Sequence, residues 1–458
     1  MKAYNYLDSP VGKTLFFKSL PMFLGIFANI AYNLVDTFFV ARLGTQELAA
    51  MSFSFPIVMI ILNIMMGIAT GLNSLSSRLI GQKKLDEAKE TNSQGLLFTF
   101  LISVFLTILG MLTIKPLFEL LGVDSSVIGY VQSYMTIWYC GMLFMNLNIV
   151  GGAIFRAKGN VTYPSLILVL GAVLNAILDP ILIFGLGPIP AMGIEGAAWT
   201  TVFGNGLSMF LIFMKLLKDK EISLSLMFRS FKFSIHKKIS VIAFPTAIAN
   251  SFVPFSTAFT NWMLVSYGNA AVAANSIATR IETVPFIAVF ALSSVLAPFI
   301  GQNWGAENIA RIREGIKKSF LFSYILGATC AFTLIFFKRS IGALFDDSPQ
   351  VVAITSLYFS FIPLTYGILG TVFLTNHAMN AVGKPFLGNL LSASRLVIIY
   401  LPLAFLLNRH FEIGGIFFAR VAANLIVGSL STLLIYRTFF KNAPQFEKEP
   451  LSPSASIE

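Results

Sequence analysis

Long apolar runs alternate with short polar stretches along almost the whole chain. The apolar windows fall at 14–40, 48–76, 93–113, 127–152, 162–184, 194–216, 238–264, 271–299, 315–336, 350–376, 386–407 and 413–436. A helix needs roughly 20 apolar residues to cross the hydrocarbon of a bilayer. The pattern therefore predicts an all-α integral membrane protein with twelve transmembrane helices. The longest polar connection, 217–237, divides the chain near its middle. It separates an N-lobe of six spans over 14–216 from a C-lobe of six over 238–436. Residues 1–13 form a short N-terminal segment, and 437–458 read as a polar, Pro/Ser-rich, disordered tail.

Composition agrees with this division. Of 458 residues 56% are hydrophobic and only 12% charged, with a mean hydropathy of +0.78, against roughly 25% charged for soluble domains. No large soluble domain fits beside the spans. The first 13 residues lack the apolar core and small-residue cleavage site of a removable signal. Cys140 and Cys330 both lie in apolar stretches and read as small buried hydrophobes.

A formal charge of +11 raises the question of a nucleic-acid partner, which the placement of the charges answers. With twelve spans, 24 of the 32 basic residues fall on the side of the two termini and five on the other. The remaining three, Arg280, Arg395 and Arg420, lie within spans. That bias follows the positive-inside rule with both termini cytoplasmic. It predicts a bacterial inner (plasma) membrane protein whose partner is the lipid bilayer, with no nucleic acid.

The two halves repeat each other. An offset of about 224 residues pairs Pro21 with Pro245, Gly44 with Gly268, and FRAKGN at 155–160 with MNAVGK at 379–384. IGQ at 80–82 matches IGQ at 300–302 at an offset of 220, and LDPILIF around Pro180 resembles YLPLAF around Pro402 at 222. Both halves begin and end on the same side, so they are parallel repeats about an axis along the membrane normal, an arrangement suited to alternating access. Paired positions that differ were not fixed by architecture alone. Asp36 pairs with Thr260 and Asp179 with Leu401, so the first lobe holds acids where the second holds none.

Of 21 acidic residues, Asp36, Asp179 and Glu282 sit clearly within spans. A mid-membrane carboxylate costs roughly 2.5–3.5 kcal/mol on insertion scales and by default marks ion or proton traffic. Asn29, Asn33 and Asp36 fall at i, i+4 and i+7 of span one, on one helical face. Asn175 and Asp179 repeat the i, i+4 spacing in span five, just before Pro180, which breaks the hydrogen-bond ladder and frees a carbonyl. Two carboxylates at similar depth, with amide oxygens from Asn175 and Asn33, suit a sodium ion or a proton. Pro21 permits a bend in span one that would move the aspartate face, and Pro245 matches it in span seven. Glu282 has Arg280 close in sequence, but i, i+2 places them on different faces, so lobe gating and substrate binding stay open for both. Arg395, Arg420 and His377 read as structural partners or snorkelling side chains. Gly12, Lys13 and Thr14 imitate the end of a P-loop, yet Leu7 stands where its first glycine belongs, which disfavours an ATP-driven pump.

NLVDTFFVARLG at 33–44, IGQ at 80–82, FRAKGN at 155–160, LNAILDPILIFGLG at 174–187, GIEGAAWTT at 193–201 and RIETVPF at 280–286 together resemble the multidrug and toxic compound extrusion family. The acid followed by proline in span five is most similar to its DNA-damage-inducible F branch. The resemblance implies a twelve-helix, V-shaped, two-lobe exporter that antiports amphipathic organic cations against protons or sodium. Asp36 and Asp179 would be the coupling aspartates, Asn175 the nearby amide, Pro21 the bending proline, and Thr200 or Thr201 the span-six threonine. No cofactor beyond the coupling ion and no enzymatic activity is expected, and the chain is expected to act as a monomer. Two rivals remain: a flippase for a lipid-linked sugar, which needs more cationic residues in its cavity, and a membrane receptor or assembly factor that transports nothing.

Overall fold

In a computed structural model the chain is all-helical, and the structure describes residues 4–219 and 231–441. The N-lobe comprises α1 (Val11–Ala41), α2 (Thr45–Gly81), α3 (Leu85–Leu120), α4 (Ser125–Lys158), α5 (Thr162–Phe184) and α6 (Ile194–Lys218). The C-lobe opens with α7 (Phe233–Val265), α8 (Asn269–Gly305) and α9 (Ile309–Phe336), then a short helix α10 (Lys338–Phe345). The tenth span joins α11 (Pro349–Phe361) to α12 (Tyr366–Ala381) through a 3-10 turn at Ile362–Thr365. The last two spans run from α13 (Pro385–Ser394) through a π-helical turn, Arg395–Tyr400, into α14 (Leu401–Ile435). Glu412, at φ 50° and ψ −136°, breaks α14 and separates spans eleven and twelve. The whole stretch Pro385–Lys441 has 57 residues, enough for two crossings at roughly 20 residues each.

Most helices outrun their apolar windows. Window edges fall at the first polar residues, whereas the helical ladder continues wherever polar side chains reach the interface or a neighbouring helix. α3, for example, starts at Leu85 rather than 93. The linker shrinks for the same reason, because α6 runs to Lys218 and α7 starts at Phe233; the rest of it, 220–230, lies outside the described residues. The last helix continues as a π-turn to Lys441, so the tail proper, 442–458, also lies outside them.

Two lobes form a V with a central cleft, and they meet at the end that carries the termini. The two IGQ segments are the crossing point. A Cβ on Gly81 would lie 2.0 Å from the Gln302 carbonyl oxygen, and one on Gly305 would lie 2.1 Å from the Arg78 carbonyl oxygen. Only glycine allows backbones so close. Polar bonds seal the contact. The Gln302 amide donates to the Ala157 carbonyl at 2.7 Å, and the Ser74 hydroxyl to the Asn380 carbonyl at 2.6 Å. The N-terminal segment straps both lobes together. The Tyr6 ring packs edge-on against Phe299 of α8 and faces Gly159 at the end of α4, while Asn303 and Arg311 donate to the Tyr6 carbonyl at 3.1 and 2.9 Å. Gly159 (φ 95°) and its repeat partner Gly383 (φ 77°) each follow a helix in the left-handed region, which explains why this pair survives in both halves.

Candidate functional site

Asp36 and Asp179 share one region of the N-lobe, close enough for their charges to interact. Each sits five residues before the end of its helix, and α1 and α5 pack along each other. Both carboxylates are buried, at 4% and 0% exposure, and the charge on Asp179 acts directly on Asp36. Asn175, one turn before Asp179, reaches the two carboxylate oxygens at 2.8 and 3.3 Å when its amide is oriented to donate. The Thr200 hydroxyl lies within hydrogen-bonding reach of Asp179 while donating to the Gly196 carbonyl at 2.9 Å. The Thr200 hydroxyl can turn its one proton to either acceptor, and turned to Asp179 it stabilises the carboxylate. Thr201 plays a different part, bonding the Tyr32 hydroxyl on α1 at 2.9 Å. Both candidate threonines therefore border the site, and Thr200 is the one beside the acid.

The most informative atom is Asp36 Oδ1, which is buried without a hydrogen-bond partner. Buried acceptors are almost always paired. An orphaned carboxylate oxygen beside a second carboxylate has the chemistry of a seat for a proton or a small hard cation. Among the described residues no third His, Cys, Asp or Glu joins the pair, so any further ligands come from hydroxyls, amides and carbonyls.

Other expected members stand elsewhere. Asn29 and Asn33 are exposed, and the Asn33 amide donates to the Asn29 carbonyl of its own helix at 2.7 Å. The i, i+4, i+7 face of span one is thus split. At about 100° per residue the buried edge carries Asp36, while Asn29, Asn33 and Thr37 form an exposed polar edge away from exposed Phe27, Leu34 and Phe38. Pro21 and Pro180 both lie inside unbroken helices, where each removes one ladder bond. Sequence reasoning missed Tyr32 and Tyr134, two phenols in electrostatic reach of both aspartates. Tyr32 lies one turn before Asp36, and Tyr134 repeats as Tyr358 at the same 224-residue offset, so extending the internal repeat would have found the second.

The C-lobe holds its own charged cluster. Glu282 pairs with Arg420 at 2.8 Å rather than with Arg280, which is exposed, and it also accepts from the Tyr358 hydroxyl. Helix periodicity accounts for the choice: i, i+2 separates Arg280 from Glu282, while α14 brings Arg420 across to α8. Arg395 donates to Asn424 at 3.1 Å, and Asn424 to Thr365 at 2.8 Å. Removing Arg420 alone should be costly, since it leaves Glu282 charged and 8% exposed. Arg420→Met is expected to destabilise the protein by about 3 kcal/mol, and Glu282→Gln combined with Arg420→Met by clearly less. Thermal unfolding in detergent checks both.

A two-lobe transporter with an acidic pair in one lobe is the class that this fold and site define. A family model described as MatE matches residues 21–181 and 245–406, and the second match begins 224 residues after the first, the offset of the internal repeat. The chain belongs to the MATE family of transporters. It is 36% identical over 431 residues to the FAD transporter of Shewanella oneidensis, covering 93% of this chain and 94% of that one. The multidrug export protein MepA of Staphylococcus saprophyticus is 23% identical, with 94% and 95% covered. Among solved structures, the Vibrio cholerae MATE transporter VcmN in its bent form superposes with a TM-score of 0.88 at 28% identity, over 93% of this chain and 96% of that one. A MOP superfamily transporter from Pyrococcus furiosus gives a TM-score of 0.87 over 95% and 97% at 22% identity, a likeness of fold alone.

Proposed function

We propose that the chain is a secondary active exporter in which a proton or sodium ion binding at Asp36 and Asp179 drives an amphipathic aromatic solute out of the cell. One observation carries the reading: a buried carboxylate pair with an orphaned oxygen, in the N-lobe of a two-lobe transporter whose halves pack together at the end that carries the termini. In the state closed at the terminal end, which the basic-residue bias assigns to the cytoplasm, the ion enters from outside. Loading the carboxylates removes their negative charge and favours a state that holds solute more weakly; the solute leaves outward, the lobes rock, and the ion is released inside. Pro21 and Pro180 supply soft points on the two helices that carry the acids.

The first candidate solute is FAD, supported by the 36% identical relative of that name. A second reading, export of organic cations, is supported by the multidrug exporters among the relatives and by an acidic N-lobe that would attract positive charge. The test uses purified protein in liposomes loaded with FAD or with a fluorescent organic cation. Collapsing either the sodium or the pH gradient is expected to stop export of one of these solutes, and the gradient that matters identifies the ion. Export of both solutes undiminished with both gradients collapsed would end the antiport reading.

A further inference from the structure

The C-lobe cluster carries one more positive charge than it neutralises. Glu282 is engaged by Arg420 and the Tyr358 hydroxyl. Arg395 lies in electrostatic reach of both Arg420 and Glu282, yet among the described residues no carboxylate pairs with it. Its guanidinium donates to the neutral Asn424. Two donors beside this cluster have no acceptor: Arg395 Nε and the Tyr366 hydroxyl are buried without partners, and Tyr366 is only 3% exposed. Tyr366 is likewise in reach of Glu282 and Arg420. Buried donors left unpaired are rare and costly; both groups call for an acceptor, and beside a surplus arginine an anionic one binds best.

Two further features point to a binding place rather than a packing defect. Arg395 opens a π-helical turn, Arg395–Tyr400, and such turns inside α-helices are frequent at functional sites. Aromatic rings line the same region: Phe286 packs edge-on to Tyr366 at 5.3 Å and to Phe373 at 5.7 Å, and Tyr358 to Phe417 at 5.2 Å. Arg420 keeps a quarter of its side chain exposed. The lobes thus mirror each other with opposite needs, the N-lobe an orphaned acceptor and the C-lobe orphaned donors, at places marked by the repeat pair Tyr134 and Tyr358.

We propose that Arg395 and Tyr366, with Arg420 beside them, form a subsite for an oxyanion carried on an aromatic solute, a phosphate above all. The arginine fork and the phenol donate to the oxyanion, and the neighbouring rings pack against the aromatic part. This deepens the export reading and rests on it, since it names the polarity of the cargo.

The experiment compares three flavins that share one ring system: riboflavin, which is neutral, and FMN and FAD, which carry phosphate. Binding is followed by quenching of flavin fluorescence with purified protein, alongside export from liposomes. Wild type is expected to bind FMN and FAD at least about tenfold more tightly than riboflavin. Arg395→Gln should erase that preference, and Tyr366→Phe, which keeps the ring and removes only the hydroxyl, should weaken it about fivefold. Riboflavin binding should be unchanged in both, which separates loss of the subsite from misfolding. Equal affinity of wild type for all three flavins, or variants that shift all three alike, would overturn the subsite. Charge-selective binding lost in the variants, without gradient-driven flavin export, would leave the subsite standing and defeat the export reading. Flavin export that runs equally in wild type and both variants would do the reverse.

Discussion

Asp179→Asn is expected to bring gradient-driven export down to the level of protein-free vesicles, and Asp36→Asn to do the same. Each asparagine keeps the shape of the acid it replaces but neither ionises nor takes up the proton, and it offers a hard cation a neutral oxygen in place of a charged one. It imitates the ion-loaded state permanently, so the lobes lose the difference in free energy that the gradient supplies. Stability should move the other way. Both acids are almost wholly buried, and removing one of two neighbouring charges relieves repulsion and desolvation, so the unfolding temperature in detergent should hold or rise by a few degrees. Export assays and thermal unfolding of the same preparations separate the two effects: an inactive but destabilised variant speaks for a structural role, and an inactive, stable one for coupling.

The second large effect concerns the crossing of the two IGQ segments. Gly305→Leu is expected to reduce export at least tenfold by wedging α8 away from α2, because even a Cβ there would overlap the Arg78 carbonyl oxygen. Overpacking of this kind costs typically 1–3 kcal/mol, enough to shift a two-state equilibrium between lobe arrangements by about 5- to 150-fold. The direction is fixed by the geometry: closure at the terminal end is penalised, and opening there is not. A cysteine at Ser74, whose hydroxyl bonds the Asn380 carbonyl across the lobes, reports the shift in a background with Cys140 and Cys330 replaced by serine. Faster labelling by a polar thiol reagent in the Gly305→Leu protein is the expected result. Unchanged labelling would mean that the glycines serve packing within a static contact.

Much of this molecule is legible in its residues, for physical reasons that differ from feature to feature. The spans are readable because lipid forces every backbone polar group into a helix, so apolar length alone reports them. The lobes are readable because Pro21 with Pro245 and Gly159 with Gly383 recur at one offset, and the left-handed φ of the two glycines shows what kept that pair. Asp36 and Asp179 stand out because a charge at that depth is expensive. Less readable was anything that depends on how two helices rotate against each other. A rotation of α1 by about 100°, the step between successive residues, decides whether Asn33 or Tyr32 accompanies Asp36, and helical spacing fixes a face without saying what it meets. The same holds for Glu282: helical spacing sets Arg280 aside, but its partner Arg420, 138 residues away, could not be picked out from the chain alone. Closure at the terminal end was also hidden, since a glycine in IGQ reads the same whether or not another backbone lies against it.

The central claim is that coupling ion and solute act on one equilibrium through the acidic pair, so reciprocal binding is its most direct test. Solute affinity of the purified protein should be measured while pH and sodium concentration are varied independently, in wild type and in the Asp36→Asn, Asp179→Asn double variant. If protons couple, loading occurs at low pH, so wild-type affinity should rise as pH rises; if sodium couples, affinity should fall as sodium is added. Either dependence should be at least fivefold in wild type and absent from the double variant, whose affinity should sit at the weak, ion-loaded level. A wild-type affinity indifferent to both ions, or a dependence that persists in the double variant, would contradict the account.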